Sequence, residues 1–304
     1  MARDRILVLG RRKSGKTVYL ARLYDDLFRD VRGQLHMATE FGQDHLALQE
    51  HIDSMTRRTW PASTERNTPF RINVTYQKEK FLMVVLDYPG EVFVNAFMKG
   101  IDGPAERELR DNVRRAAAII VLVDPGVALE GGVMDNADQD YGLPAAIRAS
   151  REWPGGEAIP VAVTLTKWDR FKVAIEEHGS AEAFLAKKYP NLHAAACGNN
   201  AWARVFGCAA AHTKVDGLGH EVPDLSRPGH GLREPLQYCL EEIRKERERQ
   251  RARREQERTV RNAAQAERLI AEEERRANIL TFLLLGGAVV TVAVAFVIFW
   301  NLLR

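Results

Sequence analysis

The chain opens with a short apolar run, Ile6-Leu7-Val8-Leu9, followed by a polar, Gly-containing stretch and a segment in which Leu20, Leu23, Leu27 and Val31 share one helical face. The uninterrupted run predicts a buried strand, and the spacing behind it predicts a helix over Val18–Asp30. The alternation then repeats. Further apolar runs predict strands at Phe70–Tyr76, Phe81–Asp87, Ala118–Asp124, Pro160–Thr166 and Ala203–Cys208. Helical patterns occupy about Asp44–Arg58, Glu106–Arg115, Leu143–Arg151 and Ala181–Lys188. Strands alternating with helices predict an α/β fold, a doubly wound, mostly parallel sheet. Gln77-Lys78-Glu79-Lys80 is too short a link for a crossover, so the strands it joins are expected to form an antiparallel hairpin. Two long connections, Arg32–Pro69 and Pro125–Ile159, fall where functional loops are expected.

The pattern changes beyond about residue 230. Glu241–Ala277 is dominated by Glu, Arg, Gln and Ala without Gly or Pro, which predicts a long exposed helix of about 55 Å at 1.5 Å per residue. Its apolar residues (Ile243, Val260, Leu269, Ile270) are too sparse for a heptad seam, so a solvated stalk with i,i+4 charge pairs is the expectation and a dimer through it the alternative. From Ile279 to Trp300 no charge interrupts an almost wholly apolar segment. About 20 such residues cross a ~30 Å hydrocarbon core, so a single C-terminal transmembrane helix is expected, flanked by Arg275, Arg276 and Trp300. The predicted division is residues 1–230 as the α/β domain, 231–277 as the charged stalk and 278–304 as a membrane anchor. The bilayer is then a partner, and the N-terminal domain is expected to lie in the cytoplasm.

Composition adds little. The formal net charge is +3, which gives no reason to expect nucleic acid as a partner. Cys197, Cys208 and Cys239 are widely spaced and odd in number, so a reducing compartment is expected. No secretory signal precedes the first strand. Asp135–Asp140 is rich in oxygen ligands but lacks the glycine and terminal glutamate of a calcium loop, and it reads as a polar surface loop.

Candidate chemistry starts at Gly10-Arg11-Arg12-Lys13-Ser14-Gly15-Lys16-Thr17, which fits G-x-x-x-x-G-K-[ST] between a strand and a helix. Gly10 and Gly15 permit a tight turn, and the loop backbone through Lys13, Ser14, Gly15 and on to Val18 is expected to cradle phosphates. Lys16 supplies charge to the β- and γ-phosphates, and Thr17 offers a hydroxyl to Mg²⁺. A second motif, Asp87-Tyr88-Pro89-Gly90, ends an apolar strand: Asp87 is placed to hold Mg²⁺ and Gly90 to bring its N–H to the γ-phosphate. A third, Thr166-Lys167-Trp168-Asp169, follows another strand. The Asp169 carboxylate there matches the two donors of guanine, which adenine lacks, and Lys167 packs its stem along the base. A second copy, Thr213-Lys214-Val215-Asp216, has no preceding strand and is read as a decoy in a loop with Gly217 and Gly219. Cys208-Ala209-Ala210 is small enough for a backbone N–H to reach guanine O6.

These motifs, in this order and spacing, resemble the TRAFAC class of P-loop GTPase domains. The phrase Leu86-Asp87-Tyr88-Pro89-Gly90-Glu91 is similar to the bacterial double-GTPase and YcjX-like families. The resemblance covers about residues 1–230. It implies GTP/GDP with Mg²⁺, a GTP-controlled switch or GTP hydrolysis, and a bacterial conflict or stress setting; a protein effector is expected because the sequence offers no second substrate pocket. It also implies a switch threonine over the metal, for which Thr64 is chosen ahead of Thr68. Glu91 stands where many relatives place a glutamine that orients water, so slow or partner-stimulated hydrolysis is expected, with Arg12 a candidate finger in cis. The competing readings are a non-hydrolysing GTP-dependent scaffold and a P-loop ATPase.

Overall fold

The computed structural model describes residues 4–302 except 12, 31–32, 62–68, 87–89, 98, 132, 152–158 and 199–201; the side chains of 90, 91, 94, 133–138 and much of 273–302 also lie outside the described set. In chain order the elements are β1 (Arg5–Gly10), α1 (Lys16–Phe28), β2 (Leu35–Thr39), α2 (Gly42–Thr56), β3 (Phe70–Tyr76), β4 (Glu79–Val85), α3 (Gly90–Phe97), α4 (Pro104–Arg114), β5 (Ala116–Val123) and α5 (Pro125–Leu129). There follow α6 (Val133–Arg151), β6 (Val161–Leu165), α7 (Trp168–Glu176), α8 (Ala181–Lys188), α9 (Pro190–Ala196), β7 (Ala203–Gly207), β8 (His212–Val215), β9 (Glu221–Asp224) and α10 (Glu234–Leu302).

Seven strands form one mixed sheet in the order β2-β3-β4-β1-β5-β6-β7. The five from β4 to β7 run parallel, while β3 pairs antiparallel with both β4 and β2. The β3–β4 hairpin turns at Gln77 and Lys78, both at positive φ (47° and 72°), the backbone signature of a tight two-residue hairpin turn. Sequence reasoning missed β2, which lies inside the long Arg32–Pro69 connection. An edge strand of five residues in which only Leu35 and Met37 are buried gives a weak signal.

Burial explains why the central strands read as continuous apolar runs. Along β1, Ile6 and Val8 enter one core cluster with α1, whereas Leu7 and Leu9 enter a second cluster on the opposite face. Along β5, Ala118, Ile120 and Leu122 face the first cluster and Ile119, Val121 and Val123 the second. Both faces are covered, as a doubly wound sheet requires. The first turns of α10 belong to this domain: Leu236, Cys239, Leu240 and Ile243 are buried in the first cluster, and the compact unit extends to Arg244.

Two expectations are corrected. The transmembrane helix over Ile279–Trp300, and the fold class that included it, do not hold: among the described residues no helix is long and apolar enough to cross a membrane. The exposed Arg and Glu described in α10 within the second unit, Lys245–Arg304, among them the Glu272–Arg276 pair at 2.9 Å, lie N-terminal to that segment. Asp135–Asp140 is not a surface loop but part of α6. Asp140 is 6% exposed and accepts from the Leu192 N–H and from Asn191 Nδ2, both at 2.9 Å, fixing the start of α9.

Candidate nucleotide site

The chain order reverses on either side of β1, whose neighbours are β4 and β5. Open α/β sheets bind ligands at such a switch point, beyond the carboxyl ends of the strands. The loop Gly10–Thr17 leaves β1 at this place.

Gly10 has no room for a side chain. A Cβ there would lie 2.5 Å from Ser14 Oγ and 2.9 Å from the Leu122 carbonyl oxygen. Gly15 is needed for its backbone, φ +85°, rather than for space, and Lys13 also adopts positive φ at 66°. The loop therefore curls back on itself, with the Ser14 N–H donating to the Arg11 carbonyl at 3.1 Å. Lys16 is 4% exposed, and its ammonium donates to the carbonyls of Gly10 (2.7 Å) and Arg11 (2.8 Å), which holds the charge across the loop. Ser14 Oγ is buried and has no hydrogen-bond partner among the described residues. Thr17 follows in the first turn of α1, whose N-terminal end carries the positive pole of the helix.

A cleft of about 440 Å³ opens from this loop and is lined by Lys16 and Thr17, by Thr166, which stands 3.8 Å from a Cβ placed on Gly15, and by Lys167 and Asp169. The last three residues are held by several segments. Thr166 ties the strand end to β5 through N–H and hydroxyl donation to the Val123 carbonyl (2.8 and 3.1 Å). Lys167 adopts φ 52°, so the chain turns sharply into α7, and its ammonium pairs with Asp124 Oδ2 at 2.5 Å. Asp124 in turn caps α5 by accepting from the Gly126 N–H at 3.0 Å. Its backbone is held by Gln139 and by the Tyr189 hydroxyl, which donates to the Asp124 carbonyl at 2.9 Å.

Asp169 Oδ2 accepts from the Thr213 N–H at 3.0 Å, while its Oδ1 is buried and without a partner among the described residues. A buried carboxylate oxygen without a donor is costly, and Asp169 is among the residues that line the cleft. The decoy motif is explained by the same contact. Asp216 closes the turn between β8 and β9, accepting from the N–H groups of Leu218 and His220 at 2.8 and 2.9 Å, whereas Thr213 at the start of the hairpin orients Asp169.

Two amides of the small-residue loop are engaged within the protein. The Cys208 N–H donates to the Leu165 carbonyl (2.8 Å), and the Ala209 N–H donates to the His230 carbonyl (2.9 Å) within a reciprocal bridge. Neither amide is then available to a base. Cys208, Ala210 and Ala211 line the cleft. Burial, helped by Glu234 and Asp169, pushes the Cys208 thiol well above its ordinary range, so it is a neutral packing group. Gly231 (φ 67°) makes the bridge possible, since a Cβ there would fall 1.9 Å from the Gly207 carbonyl oxygen.

Trp60 and Pro61, at the described edge of the connection before β3, also line the cleft. Trp60 Nε1 donates to the Glu221 carbonyl on β9 at 2.9 Å. Arg170 forks between two carboxylates, donating to Glu221 at 3.0–3.1 Å and to Glu130 at 3.2 Å. Sequence reasoning did not select Asp124, Arg170, Thr213 or Glu221. Only Asp124 carried a readable signal, a carboxylate ending an apolar run. Arg12, Thr64, Thr68 and Asp87 lie outside the described residues, as do the side-chain surroundings of Gly90 and Glu91, although Gly90 begins α3.

A Gly-rich loop between β1 and α1 at the switch point defines a P-loop α/β domain. Residues 7–139 match the model of the Double-GTPase 1 family. The match includes the loop and the Asp87–Gly90 motif and ends before the base-side residues. No curated protein matches the chain. Among solved structures, it is similar to the Arl6 BBS3 small GTPase from Trypanosoma brucei with bound GppNp (15% identity, 80% of this chain and 98% of that one, TM-score 0.40). It is similar also to an ADP-ribosylation-factor-like GTP-binding protein, the small COPII coat GTPase SAR1, from Encephalitozoon cuniculi with GDP (14% identity, 82% and 83%, TM-score 0.42).

Proposed function

We propose that this domain is a GTP-binding switch. The observation that carries the reading is the cleft shared by the Lys16 loop and by Asp169, whose buried Oδ1 lacks a donor. Guanine supplies two N–H donors to such a carboxylate, and adenine supplies none in that place. The glycine-walled loop fits a phosphate chain, since Gly10 and Gly15 leave backbone where a side chain would obstruct. In this reading Lys16 draws the β- and γ-phosphates, and Lys167, held by Asp124, walls the base. Thr17, Asp87 and Thr64 would hold Mg²⁺, which supplies charge neutralisation to the phosphates.

Hydrolysis is slow or partner-stimulated in this proposal, because Glu91 places a carboxylate where water must be oriented beside phosphate, with Arg12 a candidate to offset the developing charge. The output is a protein effector, in a bacterial conflict or stress setting. A second copy of the chain, meeting through the charged helix, is the other proposed partner, and sedimentation of the full chain at rising concentration tests it.

The test of the central reading is the nucleotide retained by the purified full chain. Guanine nucleotide, with Mg²⁺-dependent rebinding of GTP and GDP, is expected. Adenine nucleotide, or no affinity for GTP and GDP, overturns it in favour of the P-loop ATPase. Multiple-turnover phosphate release separates a hydrolysing switch from a GTP-dependent scaffold.

A further inference from the structure

We propose that Glu182, His193 and Cys197 form a binding site for a zinc-class transition-metal ion, outside the nucleotide cleft and independent of it. His193 and Cys197 are one helical turn apart, on α9 and its C-terminal cap, the relation that places two side chains on one face. The Cys197 N–H donates to the His193 carbonyl at 2.7 Å, so that turn is closed. Glu182 comes from the first turn of α8. One donor atom from each residue lies within 4.8 Å of the other two, and His193 Nε2 is 3.6 Å from Glu182 Oε1.

Zinc bonds of about 2.0–2.2 Å to nitrogen and oxygen and about 2.3 Å to sulfur place neighbouring tetrahedral donors roughly 3.3–3.7 Å apart. The imidazole and carboxylate already stand at that spacing, and the thiol has to close by at most about 1 Å. Glu182 is exposed and can adjust, while His193 and Cys197 are half-buried and give the site its fixed side. Three protein donors leave a fourth position for water. Thiolate and imidazole favour zinc, cobalt or copper over magnesium or calcium, which require oxygen.

Arg151 opposes a cation here, since its charge acts on Cys197 and its guanidinium donates to the Ala196 carbonyl at 3.3 Å. Two anionic ligands, the Glu182 carboxylate and the Cys197 thiolate, balance a dication. Burial, with Glu182, pushes the unmetallated thiol up to about 11. At neutral pH, forming the metal–sulfur bond therefore releases the thiol proton to solvent. The ion would clasp α8 to α9 on either side of Tyr189, whose hydroxyl supports Asp124.

Titration of the full chain with Co²⁺ tests the proposal. One equivalent is expected to produce thiolate-to-cobalt absorption that Zn²⁺ displaces, and Zn²⁺ is expected to raise the thermal midpoint. Cys197→Ala should lose the absorption, and both His193→Gln and Glu182→Gln should weaken binding while unfolding like the parent without metal. The absence of thiolate absorption overturns the proposal. Its persistence in Cys197→Ala does so too, by assigning it to Cys208 or Cys239, both buried in the core.

Discussion

The two ends of the cleft are built on different principles. At the phosphate end, one contiguous stretch supplies strand, turn, lysine and helix, and the glycines at 10 and 15 are dictated by space and by φ. At the base end, no stretch suffices. Asp169 depends on the Thr213 amide, Lys167 on Asp124, and Asp124 on Gln139 and Tyr189, residues separated by 15 to 65 positions in sequence. Affinity residing in a local loop should be sensitive to single residues within it. Specificity residing in a distributed network should depend on contacts that tolerate partial loss.

The most severe test of that contrast is Lys16→Ala, which should weaken GTP and GDP binding on the order of 100-fold, the scale of a lost charge-assisted contact. Titration calorimetry on the folded variant measures it; an unchanged affinity would break the phosphate-end assignment. Asp169→Asn should lower guanine affinity about 10- to 100-fold and shift preference toward xanthine nucleotide, read by competition. Retained guanine preference would remove the base-end reading while leaving the phosphate end standing.

Two glycine variants compare the ends in stability. Gly10→Ala and Gly231→Ala each force a Cβ against a backbone carbonyl, at 2.9 and 1.9 Å, so each should cost about 1–3 kcal/mol in denaturant unfolding. Gly10→Ala should impair phosphate binding as well, whereas Gly231→Ala should act through the loop at Cys208–Ala211. The smallest effect is expected from Trp60→Phe, which removes one exposed hydrogen bond to Glu221, about 1 kcal/mol or less. Nucleotide-induced change in tryptophan emission should fall with it.

The same contrast explains what the sequence disclosed. The central strands were legible because burial on both faces makes them unbroken apolar runs, and α1 because its leucines keep one face. The phosphate loop was legible because its geometry is local. β2 was missed because an edge strand has only one side of its pattern enforced. Residues 133–142 were missed as helix because Pro144 interrupts the α6 pattern. The engagement of the Ala209 amide by His230, twenty-one residues on, is invisible to local spacing. The membrane-spanning helix was inferred from an uncharged apolar run with Arg275, Arg276 and Trp300 at its flanks, whereas among the described residues no helix is long and apolar enough to cross a membrane.

The indole of Trp60 has a larger consequence than its one hydrogen bond suggests. It fastens Trp60 to β9, and the β8–β9 hairpin also steadies the Asp169 carboxylate through Thr213. One two-stranded element is therefore a common footing for Trp60 and for Asp169, so a disturbance of the hairpin reaches two walls of the cleft together.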